Sequence, residues 1–427
     1  LRDGLFAEPA FPWLGAACLA GVLPWLLGAK RREAVVSSRA VAGLALLAGA
    51  WQFVALFRHR IASQTAADAG VGTPPWGDAA LGMAALAFVA VVLDRAPRRA
   101  FAVGLSAFAA VALWLLQATP SPHNDVWHFQ QAGCAAFLEG TSPYAASIRD
   151  IYDNPAGYGP GLVQDGRVLI GFQYPPVIFW ADLPFYALTG DYRYGQLAAW
   201  LVGATALFAA ARDRFGRAVA FLLLFHPRAF FVLEFGWPEP VVVALLGAVA
   251  YAARSGSRLM PWLVGAFFAS RQYLVIATPL ALLLAPRTGG ARALGGFLGR
   301  AALAGAALTL PLFALDPEAF AKCVWRVQAA MPPRPDALSF LALYAAHHDG
   351  VFPPYGIGFV AAGAVFLAAL GRGRRDFAAF AGAVTGGFAV FFAFNKFAFC
   401  NYYTTVLAAA AAAAATWRRE TPEAPDA

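Results

Sequence analysis

An all-α, polytopic membrane protein is the fold class that this sequence predicts. Its 427 residues are 60% apolar and only 13% charged, with a mean hydropathy of +0.59. An ordinary soluble domain is roughly half apolar and a quarter charged. A globule of this length cannot hide so much apolar surface, so lipid must solvate part of it. Backbone groups in lipid need partners within the chain, which leaves helices or closed barrels. The apolar runs are continuous and do not alternate, which selects helices. The 41 glycines and many alanines suit close helix–helix contact in a bilayer.

The runs fall at about 11–29, 40–57, 78–93, 101–118, 194–211, 218–235, 240–253, 260–285, 301–315, 353–370, 377–394 and 402–417. Each, at roughly 15–20 residues and 1.5 Å per residue, nearly spans a hydrocarbon core about 30 Å thick. Ser270-Arg271-Gln272 interrupts the 260–285 run, which therefore reads as two shorter helices. The expectation is a bundle of about 12–13 crossings. The first run is followed by basic residues and lacks a small-residue cleavage site, so it reads as an anchor helix and not as a signal peptide. No internal repeat is visible, which weakens an inverted-repeat transporter.

The net charge of +8 does not mark a nucleic-acid binder, because the cations sit in short clusters between apolar runs and not on one face or tail. Lys30-Arg31-Arg32, Arg95 with Arg98-Arg99, Arg212 with Arg214 and Arg217, and Arg254 with Arg258 occupy alternate gaps. Arg287 with Arg292, Arg372 with Arg374-Arg375, and Arg418-Arg419 continue the pattern. Putting all of them in the cytoplasm gives one self-consistent path, with the N-terminus outside and the C-terminus inside. The long segments 119–193 and 316–352 then lie outside. Cys18, Cys134, Cys323 and Cys400 are far apart, with no CxxC spacing and no metal or redox motif.

Within 119–193, an amphipathic helix is expected from Asp125 to Leu138. Tyr174-Pro175-Pro176 opens a second apolar stretch through Leu188, and proline suits a first helical turn. A crossing there would put Arg212, Arg214 and Arg217 outside, so the stretch reads as a helix along the outer interface. Phe179, Trp180, Phe185 and Tyr186 suit that depth. The all-alanine run 408–415 reads as the end of a spanning helix.

Candidate chemistry collects in the same outer segments. In His123-Asn124-Asp125-Val126-Trp127-His128, the Asp125 carboxylate stands at a membrane–water boundary. It can serve as a general base toward a hydroxyl or as the N-cap of the next helix, and the two roles are compatible. His123, Asp125 and His128 are loosely spaced potential metal ligands. Gln173 and Tyr174 place an amide and a phenol on the side of Asp125. Arg228 in His226-Pro227-Arg228, Glu239 in Gly236-Trp237-Pro238-Glu239-Pro240, Arg271 and Lys396 all fall in the outer half of apolar runs. A charge at that depth costs a few kcal/mol. Such charges either pair with one another (Arg228 with Glu239, for example), snorkel to the interface, or converge on a phosphate. No phosphate loop, GxSxG elbow or HExxH motif is present.

The order of these motifs resembles the GT-C membrane glycosyltransferases, and most closely glycosyltransferase family 87, which uses polyprenyl-phosphate-mannose. The resemblance rests on Asp125 in the first large outer loop, Glu139-Gly140 and Pro143-Tyr144, and Tyr174-Pro175-Pro176. Gly236-Trp237-Pro238-Glu239-Pro240, Ala269-Ser270-Arg271-Gln272-Tyr273, Asn395-Lys396 and Asn401-Tyr402-Tyr403 extend it. It covers residues 100–417, with 1–99 as additional N-terminal helices and 418–427 as a cytoplasmic tail. Lysine is commoner in the family where this chain has Arg271, which keeps the charge and changes donor geometry.

The resemblance implies transfer of mannose or another hexose or pentose from a polyprenyl-phosphate donor to a lipid or glycan acceptor, with inversion. It implies a multi-pass plasma-membrane enzyme with its site facing the periplasm or exterior, and no cofactor or obligatory metal. Asp125 would be the base. Arg271, Lys396, Arg228, Arg334 and Tyr402 would hold the donor phosphate. Asn124, His128, Gln173, Tyr174, Glu239, Gln272 and Asn401 would contact sugar or acceptor. A transporter or lipid flippase without glycosyl transfer is the alternative from another class; it predicts polar residues through the midplane and inner half. A scaffold predicts no dependence on the charged residues.

Overall fold

The apolar runs fold as helices, which make up 71% of the computed structural model. It describes residues 6–26, 38–58, 61–154, 157–372 and 374–417. The basic clusters Lys30-Arg31-Arg32 and Arg418-Arg419 lie outside the described residues. The chain opens with α1 (Phe11–Leu26), α2 (Ser38–Arg58) and a short α3 (Gln64–Asp68). Helices α4 (Pro75–Val92) and α5 (Pro97–Ala118) each begin with proline, whose fixed φ suits a first turn. Helix α6 (Asp125–Leu138) follows, with the bounds its periodicity predicts.

The segment after α6 departs from the all-α expectation. Three two-residue strands, β1 (Ile148–Arg149), β2 (Val163–Gln164) and β3 (Arg167–Val168), form an antiparallel sheet in the order β1-β3-β2. Ile148 and Val163 both register on Val168. Asp165 and Gly166 join β2 to β3 with φ of 49° and 70°. A two-residue hairpin turn needs positive φ at both central positions, and Asp-Gly supplies it.

Helix α7 (Pro176–Thr189) starts at Pro176 as expected and stops at Gly190. Then come α8 (Arg193–Ala210), α9 (Arg214–Leu224), α10 (Ala229–Glu234), α11 (Glu239–Ser255) and α12 (Met260–Phe268). The single run expected over 218–235 is therefore two helices. His226-Pro227 parts α9 from α10, because proline cannot donate to the preceding turn. The 260–285 run divides as expected, and its second half, Gln272–Leu283, is a 3-10 helix carrying Pro279. Next are α13 (Gly290–Leu315) and α14 (Pro317–Ala321), which passes through a π turn at Lys322–Arg326 into α15 (Val327–Ala330). The last four are α16 (Phe340–Ala346), α17 (Gly356–Arg372), α18 (Phe377–Ala393) and α19 (Cys400–Thr416).

Among the described residues three helices, α4, α5 and α13, are long and apolar enough to cross a membrane by length and composition; Gln272–Leu283, α17 and α18 are apolar but shorter. Only 17% of the apolar window of α13 is buried by protein. Packing centres on α8 against α11, α4 against α5, and α18 against both α17 and α19. Gly203 and Gly247 let α8 and α11 meet backbone to backbone: a Cβ on Gly247 would lie 2.6 Å from the Gly203 carbonyl oxygen.

Buried apolar residues of the bundle form one cluster. A second cluster joins α6, the sheet and α7 to Leu312, Phe320, Cys323, Val324 and Val327. The segment 119–193 and the start of 316–352 thus share one core. The π turn contributes Cys323, whose Sγ donates to the Tyr144 carbonyl at 3.3 Å and accepts from Gly171 N at 3.4 Å. Elsewhere in this unit, the fully buried Asp182 accepts from Gln196 Nε2 at 2.7 Å through both oxygens.

Candidate active site

Asp125 is the first residue of α6, not its cap. Asn124 is the cap: its side chain accepts from Val126 N at 3.0 Å. The Asp125 carboxyl is therefore released for other work, at a helix N-terminus that favours negative charge. It is half-buried. Its own backbone N–H donates to Tyr152 Oη at 3.2 Å, and the His123 ring meets the Tyr152 ring edge-on. The Tyr158 hydroxyl lies near the carboxyl, without a hydrogen bond of good geometry to it. Burial pushes the Asp125 carboxyl above the ordinary range, while the Tyr158 hydroxyl, the Val126 amide and the charge of Arg334 pull it back. Tyr152 and Tyr158 are pushed up in turn, first by burial and then by the Asp125 charge.

Arg334 reaches this site from the segment after α15. Asp336 holds its guanidinium in a bidentate pair at 2.9 and 2.8 Å, and Phe399 lies beneath it. That same segment binds the turn between α18 and α19. Arg334 N donates to the Lys396 carbonyl at 2.9 Å, and Leu338 N to the Ala398 carbonyl at 2.8 Å. Lys396 is buried, and its Nζ donates to the carbonyls of Ala329 and Met331 at 3.0 and 2.7 Å. Main-chain bonds thus link the two cations as neighbours, although 62 positions separate them.

A third group lies deeper. Arg271 Nη2 pairs with Glu239 Oε1 at 2.9 Å, both side chains being almost wholly buried. The Arg271 guanidinium lies over the rings of Tyr174, Tyr273 and Tyr402, at 4.6, 5.2 and 5.7 Å. Asn401 Nδ2 donates to Glu239 Oε1 at 3.3 Å. Gln272 Nε2 donates to the Gln173 carbonyl at 2.6 Å, which fixes Tyr174 beside Arg271. Arg271 Nε and Nη1, Glu239 Oε2 and Asn401 Oδ1 make no hydrogen bond of good geometry within the protein. Tyr174 and Tyr402 bridge the groups, since each lies within electrostatic reach of both Asp125 and Arg271.

The structure therefore gathers Asp125, Asn124, Arg334, Lys396, Tyr174, Gln173, Arg271, Gln272, Glu239, Asn401 and Tyr402 around one region. Glu239 pairs with Arg271 and not with Arg228, because α11 begins opposite the break at 269–271. Arg228, the residue just before α10, lies over the Phe231 ring, and its N–H donates to His226 Nδ1 at 3.3 Å. His128 stacks edge-on with Trp127, and burial and the nearby His123 lower its pKa. Among the described residues no three His, Cys, Asp or Glu side chains converge to hold a metal ion, so His123, Asp125 and His128 do not form such a group.

Tyr152, Tyr158 and Asp336 belong to the site but escape a linear reading, whereas Tyr273 enters that reading only as the end of the Ala269–Tyr273 motif. The first two lie in an irregular segment without periodicity. The clue for Asp336 was local, an acid two residues from Arg334. No protein-family model, curated protein or solved structure matches the chain.

Proposed function

We propose that this chain is a multi-pass membrane glycosyltransferase that moves a sugar from a polyprenyl phosphate to a lipid or glycan hydroxyl. The reading places the site on the extracytoplasmic side. The observation that carries it is one juxtaposition: a half-buried carboxyl at the head of α6, near Tyr158 and in the field of Arg334, with Lys396 bonded to the same segment.

In this reading Asp125 takes the proton of the acceptor hydroxyl as its oxygen bonds to the anomeric carbon. The bond from that carbon to the phosphate oxygen breaks, and the polyprenyl phosphate leaves with the electron pair. Attack from the opposite face inverts the anomeric centre. Arg334 and Lys396 match the charge that builds on the leaving phosphate. Glu239 already neutralises Arg271, so the Arg271–Glu239–Asn401 group suits the sugar's hydroxyls better than a phosphate. Its free donors and acceptors, flanked by tyrosine rings, offer both hydrogen bonds and apolar faces.

Membranes carrying the protein, incubated with radiolabelled polyprenyl-phosphate sugars, test the reading. Asp125→Asn should lower transfer by about 10²–10⁴-fold with the protein still folded. Full activity in that variant sinks Asp125 as the base. Solute uptake into proteoliposomes without any glycosylated product replaces the enzyme with a transporter.

A further inference from the structure

Asp182 on α7 and Gln196 on α8 bond each other with donors and acceptors that do not match. Both side chains are fully buried. Gln196 Nε2 lies 2.7 Å from each Asp182 oxygen, while Gln196 Oε1 meets no donor. An ionised carboxylate can only accept. It would leave that amide oxygen orphaned and set its own charge against a single neutral donor. A protonated acid gains an O–H. A small rotation of the amide then lets this O–H donate to Oε1, while Nε2 donates to the other carboxyl oxygen. The pair is complete only in that form.

The surroundings do not support a charge. Gly195 brings α8 against α7: a Cβ there would lie 3.1 Å from the Ala181 carbonyl oxygen and 3.2 Å from Asp182 Oδ1. Among the described residues no cation pairs with Asp182. Cys134 from α6 and Tyr192 at the start of α8 lie within its electrostatic reach, and burial keeps both neutral. Tyr186, one turn along α7, is held neutral by burial as well. The stretch of α13 beside α7, residues 301–315, has no ionisable side chain. The remaining group is Asp191, of like sign, which Arg193 holds at 2.6 Å. Burial pushes the Asp182 carboxyl well above its ordinary 3.8; the Gln196 bond pulls it back and the Asp191 charge raises it further.

A buried acid with no counterion sheds its charge more cheaply than it keeps it. We propose that Asp182 and Gln196 form a proton-held latch between α7 and α8, closed as a neutral acid–amide pair and opened when alkali removes the proton. The proton leaves to hydroxide as water, and the carboxylate left behind cannot stay buried at the same cost. The latch sits midway along α7. Trp180 Nε1 donates to the Leu308 carbonyl at 2.8 Å, and Tyr174, just before α7, lies against Arg271. Opening the latch therefore loosens the helix that carries Tyr174. The proposal rests on the transferase reading only where sugar transfer is measured.

Infrared spectra of the full chain in detergent micelles and heavy water test it. At about pH 7, the wild type minus Asp182→Asn difference should show the carbonyl stretch of a neutral carboxylic acid. Gln196→Leu should keep that stretch and move it to higher frequency, because its hydrogen bond is gone. A carboxyl whose value is raised by folding stabilises below the unfolded value and loses that contribution as pH climbs toward the folded one. From about pH 5 to about pH 9 the wild-type thermal midpoint should thus fall at least about 2 °C further than that of Asp182→Asn, where an amide stands for the neutral acid. Sugar transfer should fade on the alkaline side in the wild type and persist to higher pH in Asp182→Asn.

A carboxylate band in the difference spectrum, without the neutral-acid stretch, overturns the proposal. A midpoint that sodium chloride raises and choline chloride does not assigns the pair to a metal cation and also overturns it. If Asp182→Asn fails to fold, Gln196→Leu decides alone, and an unmoved spectrum overturns the latch. A neutral-acid stretch in a protein that transfers no sugar leaves the latch standing and removes the transferase reading. Sugar transfer without that stretch has the opposite consequence.

Discussion

The position of Asp125 within its helix decides what it can do. Had it been the cap, its oxygens would be committed to backbone N–H groups and its pKa held down. Asn124 takes that duty, and although the Val126 amide still lowers the Asp125 carboxyl, burial near Tyr158 outweighs it and leaves the pKa raised. A base acts when ionised, so a raised pKa means that activity falls away on the acid side at a higher pH than for an ordinary aspartate. Arg334 pulls that pKa down. Arg334→Gln should therefore move the acid limb of the pH–rate profile to higher pH, and Arg334→Lys should largely restore it. A limb that stays in place in Arg334→Gln, or one at the ordinary value of 3.8 in the wild type, contradicts this account. The clustered tyrosines need no ionisation for their part; their rings line the region and their hydroxyls supply polar contacts.

Among elements, the crossing of α8 and α11 governs how the site is held. Helix α11 begins at Glu239, the partner of Arg271, and α8 begins at Arg193, which is fully buried. Arg193 bonds Asp191 and the carbonyls of Glu234 and Leu116, and so ties α5, α8 and α10 together. The two helices approach closely because Gly203 faces Gly247. Gly203→Val inserts a branched side chain where a Cβ would already lie 2.8 Å from the Val243 backbone. Overpacking of this kind costs about 1–3 kcal/mol. The expected outcome is a lower thermal midpoint in detergent and, because Glu239 shifts with α11, weaker activity. A midpoint equal to wild type would mean that the helices slide apart without cost.

For the whole molecule, sidedness is the claim with the widest consequences. The segment 119–193 and the start of 316–352 share a core, and the proposed reading puts both on the outer side. Cysteine labelling tests this. Cys18, Cys134 and Cys323 are buried, which keeps the background low. Thr141→Cys, on the exposed turn after α6, should react with an impermeant maleimide in intact cells. Arg287→Cys, at an exposed basic gap, should react only after permeabilisation. Labelling of both, or neither, from outside would break the topology built on the basic clusters.

Helix content, the bounds of α6 and the start of α7 were legible in the sequence, because apolar periodicity and proline placement act over a few neighbouring residues. The break at Ser270-Arg271-Gln272 was legible for the same reason. The hairpin at Asp165-Gly166 carried a local signal too, but its strands are only two residues long and show no alternation. Tertiary structure alone decided the pairings: Glu239 with Arg271, Arg334 with the Lys396 backbone, and Tyr158 near Asp125. Each joins residues at least 32 positions apart. Spacing along the chain encodes which face a side chain occupies. Which opposite charge it meets depends on how whole helices pack, and here that packing gave Arg271 an acid and, among the described residues, gave Lys396 none.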